Sequence, residues 1–171
     1  MNWEAIEASS SFVATAATLI TLIYLAIQLR DSNMLARTDS LQNVLNGYTE
    51  RIVGALLADT ELLDIVHRGM MSWDALTPIE KARYTDHQTR EVLHLQNVMQ
   101  LYKRGLLDKV DFEAWVSHVA SVLTTNGGKS AWEYNRNSIT PTVVALIDDY
   151  IREHPDLASF TEMHPFRFSP K

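Results

Sequence analysis

The amino-acid sequence predicts an all-α protein, in which a single N-terminal transmembrane helix continues into a cytoplasmic helical bundle. Residues 1–30 contain a long stretch without charged side chains. Beyond this stretch, apolar residues recur at steps of three and four, which is the spacing of one face of an α-helix. The 171 residues include only 6 Gly and 5 Pro, and this scarcity disfavours a β-sandwich or barrel with many tight turns.

The composition excludes several classes of protein. With 46% apolar and 21% charged residues, the chain has the make-up of a folded protein rather than a disordered one. It has no Cys, which excludes disulfides, thiolate zinc sites and a Cys nucleophile. The formal net charge of −6 argues against a general affinity for nucleic acid, so no nucleic-acid partner is expected.

The uncharged stretch runs from Ala8 to Leu29 and predicts a membrane anchor over residues 1–30. As a helix it would be roughly 33 Å long, enough for a hydrocarbon core of about 30 Å. A buried core helix of a soluble oligomer and a cleaved signal peptide are the alternatives. Glu4 and Glu7, with no Lys or Arg before the stretch, are atypical of a signal peptide.

Basic residues lie on one side of the predicted span only. Arg30 and Arg37 follow it, and no Lys or Arg precedes it. The positive-inside rule therefore predicts an N-terminus outside and residues 30–171 in the cytoplasm. The lipid bilayer is the first partner that the sequence predicts.

Small and polar residues form a seam along the predicted span. Its members recur at steps of four and three, and they are Ser10, Ala14, Ala17, Thr21, Tyr24 and Gln28. Small side chains let two helices approach closely, and Thr or Gln can hydrogen-bond between helices in a membrane. We therefore expect a homo-oligomer through this seam, with a monomeric anchor as the alternative.

The helical spacing continues past the span into residues 31–58. One apolar stripe is formed there by Leu41, Leu45, Tyr48, Ile52 and Leu56. No Pro separates this stripe from the span, so we expect one long helix, or two helices with a small bend near residues 31–33. The stripe either extends the contact between chains or packs inward on its own domain.

Capping signals divide the rest of the predicted cytoplasmic domain, residues 31–154, into further helices. The clearest start is Thr77-Pro78-Ile79-Glu80, which combines an N-cap, a Pro at the first helical position and a capping-box Glu. That helix is predicted to end at Gly105, and Asp108 is predicted to cap the next one. The pair Gly127-Gly128 is interpreted as a helix stop rather than as part of a phosphate loop, because the upstream Gly is missing.

Aromatic residues mark the predicted core. Trp115 lies at the centre of a regular apolar face, and Trp73 and Trp132 are expected to be core anchors as well. The last helix is predicted to start at Thr140-Pro141. Residues 155–171 form an apolar tail, which we expect to pack on the domain or on a neighbouring chain; its large apolar residues are Leu157, Phe160, Met163, Phe166 and Phe168.

Three segments resemble a broad group of uncharacterised bacterial proteins. The first, Leu22–Arg30, reads LIYLAIQLR, the second is Tyr102–Asp108 followed by Trp115, and the third is Gly127–Trp132. Members of this group have one N-terminal transmembrane helix and a small helical domain. The resemblance implies a bacterial, membrane-anchored helical protein, which places the span in the inner membrane. It implies no activity, cofactor or catalytic residue.

Two helical pairs have a spacing that metal ligands use. Glu91 and His94 are three residues apart, as are Asp64 and His67, and His87 extends the first face. A carboxylate and a His at this spacing occur in di-metal helical bundles, which need two further inward Glu. The convenient candidates, Glu50 and Glu113, do not lie clearly on an apolar stripe. The favoured interpretation is a solvated face or a local polar network, without a cofactor.

The sequence therefore predicts a membrane-anchored interaction or regulatory module that is non-enzymatic and self-associating. The alternative is a membrane-tethered enzyme that uses the belt of His87, Glu91 and His94, with or without a metal. Neither interpretation identifies a pathway or a protein partner.

Overall fold

A computed structural model describes the backbone of residues 3–164 and the side chains of residues 12–164. Helix α1 (Trp3–Tyr48) runs without a break into a π-helical turn (Thr49–Val53) and helix α2 (Gly54–Ala58), so the long N-terminal helix is confirmed. The described residues contain no β-strand, and the all-α fold class is confirmed. The remaining helices are α3 (Thr60–Met71), α4 (Pro78–Lys103), α5 (Lys109–Leu123), α6 (Asn126–Asn135), α7 (Pro141–Glu153) and α8 (Phe160–Met163).

The chain divides into two compact units, residues 1–39 and residues 40–171. In the first unit, nearly all side chains between Phe12 and Asp39 are exposed. Within the described part of the chain, the helical segment Phe12–Ala58 is the one that is long and apolar enough to cross a membrane, judged by length and composition. Its most apolar window has no buried residue.

In the second unit, the apolar stripe after the span packs inward on its own domain. Val44 and Ile52 are buried, and Leu41 packs against the same core as Val44. The assignment of Leu45 to this stripe is wrong, because 49% of its surface is exposed. The inward-facing positions Leu41, Val44, Tyr48 and Ile52 follow steps of three, four and four, so the predicted stripe holds except that Val44 takes the place of Leu45.

Local capping signals place the helix ends correctly. The Thr77 hydroxyl accepts from the backbone N–H of Glu80, and the Glu80 carboxylate accepts from the backbone N–H of Thr77, which confirms the capping box. Gly105 follows the end of α4 with a φ of 70°, a left-handed conformation that favours glycine. The Asp108 carboxylate accepts from the backbone N–H of Asp111 and caps α5, as predicted.

The interpretation of Gly127-Gly128 as a helix stop is wrong, because both residues lie in the first turn of α6. The Thr125 hydroxyl accepts from the backbone N–H of Gly128 at 3.1 Å and is the N-cap of this helix. A Cβ atom on Gly127 would lie 1.9 Å from the backbone oxygen of Gly69 in α3. Gly127 is therefore needed for the close approach of α3 and α6.

Arg68 joins α3 to α4. Its guanidinium donates to the backbone oxygen of Ala75 at 3.0 Å and to the Glu80 carboxylate in the capping box of α4. A second ion pair joins Arg83 of α4 to Asp59, the N-cap of α3, at 2.8 Å. These contacts hold α3 and α4 together as a helical hairpin.

The main core lies among α4, α5, α6 and α7. Its fully buried members are Val92, Leu95, Val98, Val116, Val119, Val143 and Ile147. Trp132 is also buried, as expected of a core anchor. Trp73 and Trp115 are half-buried and pack against the two cores from outside, so these two expected core anchors lie at the edges of the cores. In the tail, Phe160 packs against a second core around Tyr84, while Phe166 and Phe168 lie outside the described residues.

Candidate functional site

Helix α4 turns its polar belt inward. Glu91 is 6% exposed and His87 is 5% exposed, while His94 is half-buried. The interpretation of this belt as a solvated face is therefore wrong, and a local polar network describes it. The face is buried because α4 lies in the middle of the bundle, where even polar positions contact neighbouring helices.

Residues from three helices meet at this belt, and together they form what we call the Glu91 cluster. Its members are Tyr48 from α1, His87, Glu91 and His94 from α4, and Trp115 and His118 from α5. The Tyr48 hydroxyl lies 3.4 Å from Oε1 of Glu91 and 2.9 Å from Nε2 of His118. A tyrosine hydroxyl has one proton, so it donates to Glu91 when the Nε2–H of His118 donates to it.

The Glu91 carboxylate has few close partners for a buried group. Nε2 of His87 is 4.0 Å from Oε1, and Nε2 of His118 is 3.9 Å from Oε2, and both distances exceed a hydrogen bond. Among the described residues, Oε2 of Glu91 and Nε2 of His94 are buried without a hydrogen-bond partner. An ionised carboxylate in this position loses its hydration and regains little of it from the protein.

Aromatic rings form the outer wall of the cluster. The Trp115 ring packs 4.9 Å from the Tyr48 ring and 4.9 Å from the His94 ring, measured between centroids. Outside this wall lies a shallow depression of about 230 Å³, lined by Tyr48, Ala114, Trp115 and His118. The side chain of His118 is 30% exposed there, so the cluster reaches solvent through this residue beside the half-buried rings of Tyr48 and Trp115.

Burial dominates the electrostatics of the cluster. It raises the pKa of Glu91 to about 7, against the smaller opposing effect of the hydrogen bond from Tyr48. Burial, helped by the charge of Arg90, lowers the pKa of His87 to about 4. Burial also lowers the pKa values of His94 and His118. At neutral pH the imidazoles are therefore uncharged, while Glu91 is divided between its two forms.

These pKa shifts predict a measurable effect of pH on stability. Because the pKa of Glu91 rises on folding, its stabilising contribution is fully present below pH 4.5 and is lost as pH rises through 7. We expect Glu91→Gln to match the wild type at pH 4.5 and to be more stable by roughly 3 kcal/mol at pH 8. Urea unfolding of the full chain in detergent, followed by near-UV circular dichroism, measures this difference.

His87 provides the control, since its pKa is lowered on folding. Its contribution is present above pH 6.5 and is lost as pH falls through 4. The difference in stability between His87→Gln and the wild type should therefore change on the acid side, whereas that of Glu91→Gln changes on the neutral side. Equal pH profiles for the two variants would show that burial does not set these pKa values.

The other predicted ligands lie apart from the cluster. Asp64 is exposed and pairs with Arg68 at 2.7 Å, and Glu113 pairs with Lys109 at 3.4 Å. Glu50 is also exposed. Over the described part of the chain, no group of three or more His, Asp and Glu side chains is placed to hold a metal ion. The second pair, Asp64 and His67, therefore does not extend the Glu91 cluster.

Three members of the cluster are not predicted from the sequence as site residues. The sequence pattern assigns Tyr48 to the apolar stripe and Trp115 to the core, and it gives His118 no role. The signal for His118 is its position three residues after Trp115, which places both on one face of α5. Tyr48 has no such local signal, since its partner Glu91 is 43 residues away.

In the first unit, the seam residues Ala14, Ala17, Thr21, Tyr24 and Gln28 are exposed along α1, and the side chain of Ser10 lies outside the described side chains. Two of the polar members already have partners in their own helix. The Thr21 hydroxyl donates to the backbone oxygen of Ala17 at 2.9 Å, and Nε2 of Gln28 donates to the Tyr24 hydroxyl at 2.8 Å. Close packing, rather than hydrogen bonding, is therefore the main contribution that the seam offers to a helix–helix contact.

No protein-family model matches this sequence, and no curated protein and no solved structure matches it either. The coarse part of the resemblance is confirmed, namely one long apolar N-terminal helix and a helical body.

Proposed function

We propose that this chain is a single-pass protein of the bacterial inner membrane, and that its helical body is a non-enzymatic interaction or regulatory module in the cytoplasm. The exposed apolar surface between Phe12 and Leu29 supports the span. Arg30 and Arg37, which follow the span, support the orientation. The resemblance of three segments to bacterial membrane-anchored proteins supports the compartment.

One observation carries the regulatory role: the helix that contains the span also contributes a residue to the Glu91 cluster. Helix α1 is continuous from Trp3 to Tyr48, and the Tyr48 hydroxyl contacts Glu91 and His118. The side chains of His87 and Glu91 are only 6% and 8% exposed, so they are poorly placed to meet a substrate. A buried polar network at the end of a membrane helix favours a role in holding or releasing that helix.

A topology measurement tests the proposal. A fluorescent protein that matures in the cytoplasm should be active when it is fused after Lys171, whereas a phosphatase that needs the periplasm should be inactive at the same position. Replacing both Arg30 and Arg37 by Glu should weaken this orientation, because it removes the one-sided positive charge. The same change at Arg136, far along the chain, should not. An active periplasmic phosphatase after Lys171 would contradict the proposal.

Self-association through the seam is the second part of the proposal. Ala14→Leu and Ala17→Leu should each weaken an oligomer in detergent, because a bulkier side chain holds the two helix backbones apart. Ala26→Leu is the matched control, since Ala26 lies on the opposite side of α1 from Tyr24 and Gln28. Native mass measurement or light scattering reports the state. A wild-type monomer at high concentration, or an oligomer that both substitutions leave intact, would contradict self-association through the seam.

The alternative is a membrane-tethered enzyme. It is favoured by His118, which is partly exposed in the depression beside Trp115 and is hydrogen-bonded to Tyr48. A substrate there would meet an imidazole that is connected through Tyr48 to a carboxylate, which is an arrangement for proton transfer. Stoichiometric iron, zinc or manganese in protein purified without chelator would favour this enzyme.

A further inference from the structure

We propose that the Glu91 cluster makes the attachment of the end of α1 to the bundle depend on protonation: the end of α1 is held when Glu91 is neutral and is released when Glu91 is ionised. This inference rests on the proposed function, because it names the input that would regulate the membrane-anchored module.

The geometry places the proton-binding group at a junction. Glu91 lies on α4 in the middle of the bundle, and its hydrogen-bond partner Tyr48 is the last residue of α1 before the π-helical turn. Tyr48 is held from the other side by His118 of α5. The carboxylate therefore contacts the residue that joins the long helix to the bundle.

The groups that face Glu91 leave an ionised carboxylate poorly compensated. From α1 it meets the Tyr48 hydroxyl, at the long distance of 3.4 Å. From α4 and α5 it meets the imidazoles of His87 and His118, at 4.0 and 3.9 Å, and both are neutral near pH 7 because burial lowers their pKa values. Oε2 of Glu91 has no described hydrogen-bond partner.

The charged side chains around the cluster act on its histidines and not directly on Glu91. Arg51, on the π-helical turn, is exposed and acts on the pKa of His94. Arg90 and Asp86 on α4 act in opposite directions on the pKa of His87, and His164 acts on that of His118. None of these charged groups forms an ion pair with Glu91 among the described contacts. Apart from the hydrogen bond from Tyr48, the negative charge of an ionised Glu91 can therefore be stabilised only by water.

Opening the π-helical turn is the way to let water reach Glu91 that disrupts the fewest packed residues. Its five residues, Thr49–Val53, use the i to i+5 pattern, which is rare and occurs mainly as single turns at functional positions. Thr49, Glu50 and Arg51 are exposed, and Ile52 is the buried residue of the turn. Opening this turn hydrates Glu91 while the core of α4, α5 and α7 stays packed.

Hydrogen exchange on the full chain in detergent tests this proposal. With a Glu91 pKa near 7 when closed and 4.5 when open, the opening of residues 48–58 should become about tenfold more favourable between pH 6 and pH 8.5, after correction for intrinsic exchange rates. Amides of α5 and α7 should keep their protection over the same range. Glu91→Gln, which stays neutral, should abolish the pH dependence.

Tyr48→Phe separates the hydroxyl from the ring. Without the hydrogen bond from Tyr48, the ionised form of Glu91 loses its closest partner in the closed state and the pKa of Glu91 there rises further, so the opening at pH 8.5 should be more favourable than in the wild type. Tyr102→Phe is the matched control, because the Tyr102 ring stacks on Phe112 outside the cluster and the opening at pH 8.5 should match the wild type. A pH-independent opening in the wild type, or an unchanged pH dependence in Glu91→Gln, would overturn the proposal.

Failure of this inference and failure of the proposed function give different results. If the amides of all helices lose protection from hydrogen exchange together as pH rises, the bundle unfolds as one unit. The proposal that residues 48–58 open separately is then wrong, but the topology result is unaffected. If the topology reporters show no span but residues 48–58 open as expected, the proton-dependent contact stands without its role at a membrane.

Discussion

Replacing Gly127 by alanine should destabilise the helical body by about 4 kcal/mol or more, the largest effect we expect from any single added methyl group. The new Cβ would lie 1.9 Å from the backbone oxygen of Gly69 and 2.8 Å from its carbonyl carbon. These are backbone atoms, so no side-chain rotation relieves the overlap. Helices α3 and α6 would have to separate, and Tyr84, which packs beside both glycines, would lose its contacts.

Gly47→Ala is the control, because it makes the same chemical change in a helix where nothing lies within 4 Å of the new Cβ. It should stabilise the protein by about 0.5–1 kcal/mol, since glycine in a helix interior costs that much relative to alanine. Urea unfolding of both variants measures the contrast. Equal stabilities for Gly127→Ala and the wild type would show that α3 and α6 do not approach as closely as described.

Trp132→Ala should cost about 3–5 kcal/mol, the usual range for emptying a buried aromatic site. The indole is 7% exposed, its Nε1–H donates to Asp148 at 3.0 Å, and the Arg136 guanidinium lies 5.7 Å from the ring centroid. The substitution therefore removes packing, a hydrogen bond and a cation–π contact together. Trp132→Phe, which keeps most of the packing, should recover more than half of the loss.

Trp115→Ala should cost less, about 2 kcal/mol, because its ring is half-buried at the wall of the Glu91 cluster. Thermal or urea unfolding of the two alanine variants compares them directly. A larger loss for Trp115→Ala than for Trp132→Ala would contradict the burial of these two rings described above.

Helix starts and ends were predictable because their causes are local. Thr77, Glu80 and Asp108 act on backbone groups within three residues, and a glycine at Gly105 is needed for a left-handed φ. Such signals are complete in a short window of sequence. The long apolar helix was predictable for the same reason, since its length and lack of charge are properties of one continuous segment.

The Glu91 cluster was only partly predictable, because its burial depends on distant residues. The spacing of His87, Glu91 and His94 is visible in the sequence, but their inward direction depends on Tyr48 and on α5. Gly127 shows the same limit: glycine is required both at helix ends and where two backbones meet, and the choice depends on Gly69, which is far away in the sequence. Packing between helices decides both cases.

The contacts of Arg68 have a consequence for the order in which the protein folds. Arg68 and Glu80 are 12 residues apart, whereas Tyr48 is separated from Glu91 by 43 residues and from His118 by 70. Closing the shorter loops costs less chain entropy, so the hairpin of α3 and α4 is expected to form before the Glu91 cluster. Until the cluster closes, Glu91 is hydrated and ionised above pH 4.5. The step in which the Glu91 cluster closes therefore takes up a proton at pH values between 4.5 and about 7.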